Sequence, residues 1–305
     1  MENSINENVN FSCNMCGKCC SESPRTHFYE MLELSNEFVF QTTHNAILST
    51  TKKLLDKKIA EHYGVLGHTI VMPELEASMF YFIDFKPLEL PTYKSCSKLN
   101  PEGKCSIYAS RPTLCRLAPL SPYFSESQQY RVIQIFEDNT KKNIWNCDFE
   151  SKTAILKKGE IAKYQDDEMY IAYINSTRAM TDLFVEAVSF SEETKNNHFK
   201  TLFQMINKNS TMITDLVHIL KIAALNNILS KTYITKVIEN QLKLLYKEIE
   251  ISKNNKLNLT QTTKFNQKAW NSSYDIQTPG VYKFFVQPQP YFEPSEEKFI
   301  SHVPK

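Results

Sequence analysis

The stretch Phe11 to Cys20, FSCNMCGKCC, sets Cys13, Cys16, Cys19 and the adjacent Cys20 within eight residues. Two-residue gaps let several thiolates converge on one centre within a single turn of backbone, and Gly17 supplies the freedom such a tight loop needs. The rest of the chain completes this loop, shields it or uses it. Side chains on neighbouring residues diverge, so Cys19 and Cys20 point to two metal centres or to one polynuclear centre.

Four more cysteines follow, Cys96, Cys105, Cys115 and Cys147, and none lies beyond 147. NPEG, residues 100–103, is a turn signal between two of them, in the manner of a metal-binding knuckle. No histidine is built into either cluster, and His27 reads as a helix-start residue rather than a ligand. An all-thiolate set is soft and suits iron–sulfur, zinc or Cu(I). The gaps of two and two match the opening of a ferredoxin run and then fail at the fourth cysteine, while the radical SAM order is not present. Four thiolates complete one zinc site or one [4Fe–4S] cluster, so the expected cofactor is one or two iron–sulfur clusters, 4Fe-4S favoured, with zinc as the alternative. Four of the five arginines lie in this half. Arg111 and Arg116 bracket Cys115, and with Tyr108 and Arg25 they are the expected residues behind the ligands, donating to sulfur or offsetting its charge.

The whole motif, FSCNMCGKCC and then a cysteine and GKCSIYASRPTLCRLAP, resembles the CxxCxxCC or YkgJ-like cysteine-cluster family, described as a zinc- or iron-chelating domain. Phe11, Cys13, Cys16, Gly17, Cys19 and Cys20 carry the resemblance, with Cys96, Gly103, Cys105, Ile107, Tyr108, Arg111, Pro112, Cys115, Arg116 and Pro119. Leu117 and Ala118 stand where the family often has Tyr-Pro directly after Cys-Arg, a small departure. The resemblance covers about residues 11–149 and implies metal binding, most of all iron–sulfur. Some relatives are labelled flagellin lysine N-methylase, and that activity does not transfer without motif residues of its own, which the chain does not show.

The 305 residues, 42% hydrophobic, are enough for one large domain or two modest ones. A formal charge of +1 gives no footprint for nucleic acid. The polar start and the lack of a long apolar run argue against an export signal or a membrane span, so the protein reads as cytoplasmic, with thiols rather than disulfides. Six glycines provide neither of the phosphate-binding glycine loops, which removes the common nucleotide-binding enzymes.

The expected fold is α+β and mainly helical, in three parts: a cysteine-rich metal domain at 1–150 with a few short strands, a helical domain at 151–253, and an extended aromatic and proline-rich tail at 254–305. Spacing predicts a short helix from His27 to about Leu34, a second over 46–63 stopped by Gly64, extended structure over 68–90, a strand over 130–136, and four helices over 159–251 with Ser189 and Glu192 as a capping box. Three functions fit: an iron–sulfur oxidoreductase or protein- or peptide-modifying enzyme, a zinc-stabilised interaction module without catalysis, and metal storage or trafficking.

Overall fold

The computed structural model describes residues 8–18, 20, 23–51, 54–72, 76–88, 95–157, 160–161, 165–188, 199–200, 210–214, 216–257 and 285–288. Their elements mix helix and strand. A small sheet joins β1 (Val9–Asn10), β5 (Ala154–Lys157) and β6 (Glu160–Ile161), and a larger antiparallel one has the order β3-β4-β2-β7-β8. In the larger sheet β2 (Phe40–Thr50) and β4 (Ala77–Pro87) run eleven residues each, paired along their whole length from Phe40 with Pro87 to Thr50 with Ala77. They are flanked by β3 (His68–Met72), β7 (Ser210–Thr214) and β8 (Phe285–Pro288).

Residues alternate between two buried faces of this sheet, as the period of a strand demands. Phe40, Met79, Tyr81, Ile83 and Phe85 enter one core with helix α1 (Phe28–Glu33). Met180 and Phe184 of α5 (Gln165–Val188), Leu216 and Leu220 of α6 (Leu216–Leu225), and Ile234 and Leu245 of α7 (Lys231–Asn254) close it. Phe80 and Phe82 face the other way, into a second core with Phe11, Leu117, Ile133, Leu156 and Ile174. Cys13 and Cys147 pack against this second core, whereas Cys96 belongs to the first and Cys20 packs against it, so the cysteine segments lie where the two cores meet.

Several expectations need correction. The helix placed over 46–63 is strand to Thr50 and helix only in α2 (Lys57–Leu66): pairing of Ala46 to Thr50 with β4 overrides the local helical spacing. Asp56 accepts from the amides of Lys58 and Ile59 and so sets the true helix start. The helix passes through Gly64 and ends at Gly67, where a Cβ would fall 2.3 Å from the Tyr81 carbonyl oxygen. The strand expected over 130–136 is part of α4 (Glu126–Lys141): Ser125 donates its amide to Gln128 Oε1, and this cap starts a helix through a β-branched stretch. The four helices expected over 159–251 are interrupted by β7, whose Ile213 pairs with Thr43. The Ser189–Glu192 capping box lies outside the described residues. The helix at 28–33 and the strands of 68–87 are as the spacing predicts. Nor are the strands few and short, given the eleven-residue pair.

No described helix is long and apolar enough to cross a membrane. Chain segments far apart in sequence are clipped together by Gln241 of α7, which is fully buried. Its amide donates to the carbonyls of Ser35 (2.6 Å) and Phe38 (2.7 Å), and its oxygen accepts from the Phe40 amide (2.7 Å). Gln241→Leu leaves three buried backbone groups without these partners, at ~1 kcal/mol each. Urea unfolding of the variant is expected to show a loss on the order of 3 kcal/mol; an unchanged midpoint would refute the clip.

Candidate metal centre

The cysteine segments are brought together by backbone, not by side chains alone. Ser12 and Asp148 exchange main-chain hydrogen bonds (2.8 and 3.2 Å) in an antiparallel bridge. Cys13 and Cys147 each lie one residue from this bridge, which brings the first and last cysteines of the chain to the same cavity. Ser12 Oγ adds a bond to Asp148 Oδ2 (3.1 Å). The Cys96 amide donates to the Cys20 carbonyl at 3.0 Å, tying the loop to the second cysteine region.

Cys105 is delivered by a small hairpin. Leu99 bridges Cys105, and the turn between them is closed by Gly103 N–H to Asn100 O and Asn100 N–H to Lys104 O, both 2.9 Å. The NPEG stretch is thus the turn its composition announces. Gly17 presses against it: with φ +68, a Cβ on Gly17 would lie 2.2 Å from the Gly103 carbonyl oxygen. Cys115 sits in the single-turn helix α3 (Thr113–Leu117). Tyr108 donates its hydroxyl to the Cys13 carbonyl at 3.3 Å and holds Arg111 over its ring at 4.1 Å.

As a result Cys13, Cys16, Cys20, Cys96, Cys105, Cys115 and Cys147 line one cavity of about 260 Å³, with Phe11, Phe38 and Phe136 among its apolar walls. Cys19 lies outside the described residues. All seven are thiols, none in a disulfide. Among the described residues no three His, Cys, Asp or Glu side chains gather tightly enough to grip one ion; the thiols are distributed around the cavity wall. Burial pushes the Cys96 thiol above its ordinary value, and the nearby Cys105 thiol adds to the rise. The Lys98 amide and Ser23 hydroxyl donate to the Cys96 sulfur and oppose it. The Met15 amide points at Cys13 Sγ (3.4 Å). Thiols that share a cavity and already receive N–H and O–H donors can be stabilised as thiolates by a cation among them.

Of the four residues expected behind the ligands, Arg111 and Tyr108 line the cavity. Arg116 donates to Thr113 Oγ1 at 3.2 Å. Arg25 turns into a different place, a buried polar network that spacing did not foretell. Its guanidinium meets Asp84 Oδ2 (2.9 Å) and Asn45 Oδ1 (2.7 Å). The same carboxylate oxygen accepts from Tyr123 (2.8 Å), whose hydroxyl shares a 2.5 Å hydrogen bond with Tyr173. His27 packs edge-on against the Tyr173 ring and is not part of the cavity wall. Glu30, near it on α1, is buried and accepts from the Thr113 amide. Asp84 and Glu30 carry no motif signal, because a lone carboxylate in an apolar run has no spacing to recognise.

Residues 12–148 match the family model CxxCxxCC, described as "Putative zinc- or iron-chelating domain". The match spans all eight cysteines and stops one residue past Cys147, which supports metal binding by this segment and leaves zinc or iron open. No curated protein and no solved structure matches the chain.

Two outcomes test the geometry. Gly103 also has positive φ, but a Cβ there meets nothing within 4 Å. Gly103→Ala is therefore expected to cost only ~1 kcal/mol of backbone strain. Gly17→Ala adds the collision with the Gly103 carbonyl and is expected to lower both urea stability and metal per chain; equal effects of the two would refute the contact. The second outcome concerns pH. Burial pushes the Glu30 carboxyl up to about 7, helped by Glu33 and opposed by Thr113 and Arg116. Burial, aided by the charge of Arg116, holds His27 down at about 4. The folded chain keeps the Glu30 proton that the unfolded chain sheds, so this stabilisation is lost as pH rises from about 4.5 to about 7. His27 works in the opposite sense, adding stability as pH rises from about 4 to about 6.5. Relative to Glu30→Gln, wild type should lose up to ~3 kcal/mol across the first window. Relative to His27→Leu, wild type should gain across the second. Flat differences in urea titrations would exclude both shifts.

Proposed function

We propose that the chain is an iron–sulfur protein whose cluster or clusters sit in the cavity lined by Cys13, Cys16, Cys20, Cys96, Cys105, Cys115 and Cys147, with Cys19 of the same motif as the eighth ligand. The single observation that carries this reading is the gathering of seven described thiols around one cavity of about 260 Å³. Spread around a wall, such thiols match a polynuclear centre better than a tetrahedral ion, whose four ligands stand within ~2.3 Å of one point. Four thiolates complete one [4Fe–4S] cluster, so eight would hold two clusters side by side or one larger centre.

When bound, such a group supplies one-electron redox capacity. The chain's own residues supply the rest. The amides of Met15 and Lys98 and the hydroxyl of Ser23 donate to sulfur, which favours the thiolate and raises a cluster's reduction potential. Arg111, braced on Tyr108, places positive charge at the cavity wall, where it offsets the charge of the thiolates or receives an anionic group of a substrate. Phe11, Phe38 and Phe136 keep that wall apolar and strengthen every one of these interactions. Arg116 acts through Thr113, two residues before Cys115, while Arg25 is engaged by Asp84 away from the cavity. In this reading the protein works in the reducing cytoplasm, on a redox partner or on a protein or peptide substrate recognised by the part of the chain beyond residue 150.

The alternative is a zinc-stabilised module without catalysis, favoured by the knuckle-like hairpin of Leu99 and Cys105. Purification under exclusion of oxygen separates the two. The iron–sulfur reading expects brown protein with iron and acid-labile sulfide in equal amounts, about four or about eight of each per chain, and a reversible reduction. Colourless protein with stoichiometric zinc and no reduction would overturn it.

A further inference from the structure

We propose that Glu30, a residue outside every cysteine segment, is the positioning residue that orients Cys115 in the metal centre, an inference that rests on the cysteines being the metal's ligands. Helix α3 is only five residues long and has no side-chain cap of its own, since Pro112 stands at its N-cap. Its first amide, on Thr113, donates instead to Glu30 Oε1, a carboxyl that arrives from α1, 83 residues away in sequence. The Thr113 hydroxyl is a second donor to the same side chain. Cys115 is the third residue of this turn, with its amide bonded to the Pro112 carbonyl at 2.9 Å. The direction in which the turn leaves Pro112, and with it the placement of the thiol, therefore depends on a carboxyl held by another helix. Arg116, next to Cys115, closes the group by donating to Thr113 Oγ1.

The energetics point the same way. Glu30 is only 5% exposed, between the fully buried Phe28 and Met31, and its Oε2 has no hydrogen-bond partner among the described residues. An apolar residue would be the cheaper occupant of such a place, because a buried polar oxygen without a partner costs free energy. What the carboxyl supplies in this place is an acceptor for the Thr113 amide. A single-turn helix cannot hold its own direction, since helix nucleation is unfavourable and so short a segment gains almost nothing from propagation.

The test uses the full chain with cadmium as probe. Wild type, Glu30→Leu, Glu30→Gln, Cys115→Ser and the Glu30→Leu/Cys115→Ser double variant are stripped of metal and titrated with Cd(II), and the sulfur-to-cadmium absorption band is read at saturation. Glu30→Leu is expected to lose the signal of about one thiolate, as Cys115→Ser does. The double variant should lose no more than Cys115→Ser alone. Glu30→Gln keeps an acceptor for Thr113 and should keep the full band. A wild-type band in Glu30→Leu, or a loss in the double variant equal to the sum of the singles, overturns the assignment. So does a variant that only melts at lower temperature with the band intact, which is what a purely structural carboxyl would produce. If Glu30→Leu does not fold, Glu30→Asp, one methylene too short to reach Thr113, makes the same comparison. Absence of any band in wild type would instead sink the metal reading on which the inference rests.

Discussion

The cysteine-lined cavity depends on one close contact, the face-to-face approach of Gly17 and the Gly103 carbonyl. No side chain fits between them. Because that contact is bare backbone, the Cys13–Cys20 loop can lie directly on the hairpin that presents Cys105, and the Cys20–Cys96 hydrogen bond can form beside it. The Ser12–Asp148 bridge then fixes the other end of the loop beside Cys147. Three backbone attachments thus turn scattered cysteines into one lined cavity. Side-chain chemistry acts only after this main-chain frame is in place.

The frame in turn leans on the large sheet. β4 contributes to three tasks through residues of one strand: Tyr81, Ile83 and Phe85 to one core, Phe80 and Phe82 to the other, and Asp84 to the polar network with Arg25, Tyr123 and Tyr173. Thr26 is bonded to Phe85 in both directions. Hence the short segment of residues 23–26 lines the metal cavity at Ser23 and Pro24 and reaches the buried network at Arg25. The two sites share a wall, and α3 with Glu30 is its other panel. Burial also explains the energetics of this region, since a carboxyl and an imidazole kept from water are driven toward their neutral forms.

Much of the centre was legible in the sequence. Two-residue cysteine gaps, a glycine within them and an Asn-Pro-Glu-Gly turn each carry local geometry, and local geometry is what spacing encodes. The helix at 28–33 and the extended run of 68–87 were legible for the same reason. The strand of residues 40–50 was not: Ile47 and Leu48 look alike in a helix or in a strand with a core on each face, and only their pairing with Phe80 and Met79 of β4 separates the two. Val132, Ile133 and Ile135 favour a strand by propensity, yet the cap at Ser125 commits them to a helix. Arg25 reads as one more cationic neighbour of the cysteines and is drawn instead to Asp84, because an unpaired charge inside the fold costs more than a distant thiolate can return.

The sequence by itself determined the thiol character of the candidate site, the number of cysteines and the turns that bend the chain around them, since these follow from residue identity over a few positions. Only the tertiary structure decided that the cysteines share one cavity, that a bare Gly17–Gly103 contact closes it, and that a carboxyl from α1 steers the turn bearing Cys115. Those facts join residues 83 to 136 positions apart. A meeting over such distances is set by how sheets and helices pack, and packing leaves no mark in local spacing.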